Sequence, residues 1–202
     1  MKVASSIISY TFHPLLIPSY SILVIYYFQE LLTVHIPIPL KEFVLGVVWF
    51  FTFLMPLSIV IAMNRFGYIA SLKMERREDR IIPFLITAFL YGVCYWYLNQ
   101  VNMPNQIAYM ILGATISVFI GAVISLFWKI SVHLIGMGGF VALLLVLFNQ
   151  SLLDFKYYII AGLLLAGIVG SARLIVGTHS EKQIYVGFFV GFFCLLIPFL
   201  II

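Results

Sequence analysis

The chain is short of charge, of cysteine and of polar linkers, and each shortage excludes something. Its 202 residues hold 11 Lys and Arg and 7 Asp and Glu, only 9% charged, where a soluble domain carries about 25%. An ordinary water-soluble fold is therefore excluded, and no nucleic-acid partner is expected. The two cysteines, Cys94 and Cys194, fall inside apolar segments, where a thiol behaves as a small hydrophobe and carries no information about redox compartment. There is no tandem repeat or low-complexity tract, and the longest polar stretch, residues 64–80, still contains Phe66, Tyr68 and Ile69. No small-residue cleavage site follows Lys2, and Ser5, Ser6 and Ser9 make the start too polar for a secretory leader. Aspartate and glutamate never accompany histidine at metal-ligand spacing, so neither a metal nor another cofactor is expected.

What the chain does have is apolar length. It is 64% hydrophobic with a mean hydropathy of +1.16, and a membrane-crossing helix needs about 20 apolar residues. Runs of that kind occur at 15–34, 43–63, 81–98, 106–128, 133–149, 157–176 and 184–202. The reading is an all-α polytopic membrane helix bundle of six to seven transmembrane helices, a single domain over residues 1–202. The first run is the irregular one, preceded by His13-Pro14 and broken by Pro18. If all seven cross, the loops at 64–80, 129–132 and 177–183 share one face with nine of the eleven Lys and Arg. Only Lys41 and Lys156 lie on the other. The positive-inside rule reads the charged face as cytoplasmic, unless those cations are there to hold a ligand. Tyr95, Trp96 and Tyr97, with Tyr157 and Tyr158, read as aromatic belts at the opposite face.

Three polar islands on the charged face carry the chemistry: Lys73 to Arg80, Trp128 to His133, and Ser171 to Gln183. Ionisable groups at the ends of lipid-embedded helices are costly unless they meet protein, water or ligand, which makes them functional candidates. Together they offer His133, His179, Ser131 and the cations Lys73, Arg76, Arg77, Arg80, Lys129 and Arg173. Histidine with several arginines and few acids suits phosphate, whose oxygens match the guanidinium fork. His179 and Gln183 are four residues apart, so the amide reaches the imidazole in a helix, and Gly177 allows the bend that ends the preceding span. Gly136, Gly138 and Gly139 read as close helix packing or as room for an acyl chain. His13 and His35, each next to or near a proline, read as interfacial residues at span ends.

Arg173, five residues, His179, three residues, Gln183 resembles the last signature of the type 2 phosphatidic acid phosphatase (lipid phosphate phosphatase) superfamily, S-R-x5-H-x3-D. Ala172 stands for its serine and Gln183 for its aspartate. Ile130-Ser131-Val132-His133 resembles the central P-S-G-H signature, and Lys73, six residues, Arg80 resembles the first, K-x6-R-P, with Ile81 in place of the proline. One departure is topological: two apolar runs separate the first two signatures, which the superfamily usually joins in one loop.

The resemblance implies a metal-independent lipid phosphatase acting on phosphatidic acid, phosphatidylglycerophosphate or undecaprenyl pyrophosphate through a phosphohistidine. His179 would be the nucleophile, His133 the acid and base, and Gln183 the orienting residue. Arg173, Ser131, Arg80, Lys73, Arg77 and Lys129 would be the phosphate-binding set. It further implies an integral protein of a bacterial inner membrane whose partners are the bilayer and a lipid phosphate. The alternative expectation is a catalytically silent relative that binds or translocates phospholipid, favoured by Gln183.

Overall fold

The structure is a computed structural model that describes residues 2–28, 36–72, 74, 76–101, 103–150 and 156–201. Among these it is helical throughout, with no strand: α1 (Lys2–Thr11), a 3-10 turn at Pro14–Leu16, α2 (Ile17–Tyr27), α3 (Ile38–Trp49), α4 (Met55–Arg65), α5 (Glu78–Gln100), α6 (Asn105–Ser125), α7 (Val132–Gln150), α8 (Lys156–Ile175) and α9 (Glu181–Ile201). A π-helical segment at Phe50–Leu54 joins α3 to α4. Seven stretches are long and apolar enough to cross a membrane, so the protein is an integral membrane helix bundle. The first stretch extends the sequence expectation of 15–34 toward the N-terminus: the described helical residues run from Lys2 to Tyr27 with a break at Phe12 and His13, while residues 29–34 lie outside the described residues. Helix formation does not require apolarity, and serines whose hydroxyls bond backward are tolerated. Ser6 and Ser9 donate to the carbonyls of Lys2 and Ser5.

The same device disposes of hydroxyls deeper in the spans. Thr87, Thr115, Ser117 and Ser125 each donate to the carbonyl four residues back, at 2.7–2.8 Å, because lipid offers no water to satisfy them. The bundle is held by side-chain packing around Ile22, Ile25, Leu98, Ile107, Ile111, Leu143 and Leu147, all fully buried. Its tightest joint is a glycine seam between α7 and α9. A Cβ on Gly138 would sit 2.0 Å from the Phe188 carbonyl oxygen, and one on Gly191 1.8 Å from that of Ile135. All three glycines of 136–139 are therefore packing surfaces: Gly136 receives Ile17, and Gly139 faces Leu195 and Gly191.

Contacts fix which helix ends meet. At one end Phe28 packs on Tyr158 and Phe43 on Tyr97, while Tyr26 donates to the Lys41 carbonyl. At the other, Arg77 and Arg80 of the segment before and inside α5 reach the 127–130 loop, and the Ser131 amide donates to the Gln183 carbonyl at 3.3 Å. That second end gathers the N-termini of α5, α7 and α9, where each helix dipole is positive.

Candidate functional site

The site is built where α7 and α9 begin side by side. Their seam allows no slippage: a Cβ on Gly187 would lie 2.6 Å from the Ser131 carbonyl oxygen. α8 stops at Ile175, and Gly177, at φ 76°, makes the left-handed cap that turns the chain back, with its amide on the Leu174 carbonyl at 2.8 Å. This turn presents His179 next to the start of α9.

Gln183 is the amide of a capping box. Ser180 precedes the first residue of α9, and Gln183, three residues on, returns its Oε1 to the Ser180 N–H at 3.2 Å. The same Oε1 lies 3.1 Å from His179 Nδ1. An atom that accepts from a backbone N–H is an oxygen, so His179 Nδ1 must be the donor. The tautomer follows: Nδ1 carries the proton and Nε2 keeps its lone pair. Burial pushes the His179 pKa down from 6.5 to about 3, and Arg80, Arg173 and Lys129 push it the same way, while the bond to Gln183 opposes them. The imidazole is thus neutral at physiological pH, the form a nucleophile requires.

The surrounding cations fall into two kinds. Arg77 and Arg80 are tied to the fold. Arg77 Nη1 donates to the Phe127 carbonyl at 2.6 Å and its Nε pairs with Glu78 at 2.8 Å on the surface. Arg80, only 5% exposed, donates from Nε to the Met74 carbonyl at 2.8 Å and from Nη1 to that of Ile130 at 2.9 Å, locking two loops together. Arg173, at the end of α8, is different: its Nε is buried without a partner. So is the hydroxyl of Ser131, which is fully buried at the start of α7 and has no helical carbonyl four residues back to take its proton. Among the described residues, neither Arg80 nor Arg173 has a carboxylate within 4.0 Å. Lys129 is partly buried and feeds its charge to His179.

His133, at the second position of α7, has its Nε2 3.1 Å from the Ser9 carbonyl of α1, to which it donates. Its ring centroid is 5.9 Å from that of His13, edge to face at 75°. His13, read from the sequence as interfacial, thus sits in the cluster. It caps the Pro14–Leu16 turn by accepting the Leu15 N–H on Nδ1 at 3.4 Å.

Set beside known proteins, the chain stands without a match among family models, curated proteins or solved structures.

The structure brings together His179, Gln183, Ser131, His133, Arg80 and Arg173, with Lys129 and Arg77 at the margin; Lys73 and His35 lie outside the described residues. His13 and Ser9 are what sequence reasoning missed. The pattern Ser180-x-x-Gln183 was a readable capping-box signal for the site's local structure, whereas nothing local announces a contact across 124 positions. Neutral imidazole, two guanidinium groups, two partnerless buried polar atoms and three helix N-termini form a cluster whose donors suit an anion. Two concavities elsewhere, one along Phe89, Gly92, Val93 and Trp96 and one from Glu42 to Phe51, lie at other parts of the surface.

Proposed function

We propose that the protein is a membrane lipid phosphate phosphatase, hydrolysing a phosphomonoester or diphosphate headgroup. One observation carries the reading: a neutral His179, its Nδ1 proton held by Gln183, lies in the field of Arg80 and Arg173, neither of which has a carboxylate partner among the described residues. In this reading, Arg173 and Ser131 supply the partnerless donors for the phosphoryl oxygens, assisted by Arg80 and Lys129, whose charge stabilises the transition state. His179 Nε2 attacks phosphorus, the bond from phosphorus to the lipid oxygen breaks, and His133, entering the step as an imidazolium with its Nε2–H kept on the Ser9 carbonyl, delivers its Nδ1 proton to the leaving oxygen. Water, deprotonated by His133, then cleaves the N–P bond and releases phosphate. Gln183 orients the nucleophile without neutralising the cation that forms, which limits the rate.

The test is phosphate release by purified protein in detergent, offered phosphatidic acid, phosphatidylglycerophosphate and undecaprenyl pyrophosphate. Release and an acid-labile phosphoenzyme should both disappear in His179→Ala; an active variant would remove His179 from the nucleophile role. A second reading, a silent binder of lipid phosphate, is favoured by the structural duties of Arg80 and Gln183. It expects phosphate-dependent lipid binding with no release on any of the three substrates.

A further inference from the structure

We infer that His13 is a positioning residue that acts through His133, so that the N-terminal segment is a working part of the site. For its kinetic consequence this rests on the phosphatase reading; for the coupling of the two rings it does not. Ser9 and His13 are four residues apart and approach the same imidazole: the Ser9 carbonyl accepts a hydrogen bond from His133 Nε2–H, and the His13 ring stands edge to face against it. With His13 Nδ1 accepting from Leu15, the proton of neutral His13 is on Nε2. His133 also feels Arg173 from α8 and His179 from the turn before α9, and among the described residues no carboxylate acts on it. Two imidazoles with centroids 5.9 Å apart, and no carboxylate between them among the described residues, repel each other once both are protonated. Protonation of one opposes protonation of the other, and the pair titrates as a unit. His13 thereby sets how readily His133 gives and regains its proton, without touching substrate itself. Its position is fixed by the capped turn and by Pro14, whose Cα lies against Gly136 on α7.

The experiment follows the ring nitrogens of His133 against pH by NMR, on full-length protein labelled with 15N-histidine in detergent micelles and assigned with His133→Asn. Two variants are compared with the native chain. His13→Phe keeps a ring edge and removes its nitrogens; His13→Asn keeps an acceptor for the Leu15 N–H. The native chain should show a two-step His133 titration that becomes a single step in both variants. In phosphate release, kcat should fall about tenfold with KM unchanged, and the pH profile should move. Identical His133 titrations in all three proteins would overturn the inference, and if His13→Phe does not fold, His13→Asn decides alone. Coupled rings in a chain that releases no phosphate would uphold the inference while removing the phosphatase reading.

Discussion

Gln183 serves two donors with one oxygen, the Ser180 amide and His179 Nδ1, and that double use makes it the most informative side chain to change. Gln183→Asp keeps the acceptor and adds a charge next to the imidazole. It should raise the His179 pKa well above about 3 and preserve or increase turnover, measured by phosphate release; total loss of activity in a folded protein would show that Gln183 is not the orienting residue. The depressed pKa also has a signed consequence for stability. His179 titrates near its ordinary 6.5 when unfolded and near 3 when folded, so its contribution is complete above pH 6.5 and is lost progressively as pH falls toward 3. Thermal melting in detergent between pH 7 and pH 4 should show a steeper acid loss for the native chain than for His179→Asn. The His179–Gln183 contact was legible in the sequence because a spacing of four brings two side chains together on a helical turn, and the cations near it were legible by residue type. Arg80 was legible as a cation but not as a loop clasp, since its partners are backbone carbonyls that leave no trace in residue type.

The helices were legible as apolar runs, and six of the seven matched closely. The first is preceded by the unexpected helix α1, because apolarity marks where a span is comfortable in lipid rather than where helix begins. α1 buries Ser5 and Ser9 and turns Val3, Ile7 and Tyr10 outward, the reverse of a helix on a water-soluble core. The glycines of α7 were correctly read as packing, but their partner could not be named without coordinates. The seam gives a graded prediction. Gly191→Ala places a methyl on the Ile135 carbonyl oxygen and should lower stability by about 1–3 kcal/mol or more, seen as a drop in melting temperature. Gly187→Ala, whose methyl would meet the Ser131 carbonyl at 2.6 Å, should displace Ser131 and cost phosphate release more than it costs melting temperature. Equal losses in both variants would separate the seam from the site.

For the whole molecule, the alternation of seven spans puts residues 66–70 and the start of α3 on opposite sides of the membrane. With the buried Cys94 and Cys194 replaced by serine, Tyr68→Cys and Lys41→Cys should react with an impermeant thiol reagent from opposite sides of oriented vesicles. Labelling of both from one side would refute the seven-span topology. Activity should also withstand EDTA, because a site ringed by Arg80, Arg173 and Lys129 repels a metal cation; loss of phosphate release on chelation, restored by a divalent ion, would refute this. The glycine seam has a last consequence, for traffic. Where a single methyl group does not fit, neither does a hydrocarbon chain. α7 and α9 are a wall, and a lipid whose headgroup bound at their N-terminal end, as proposed, could not thread its tail between those two helices.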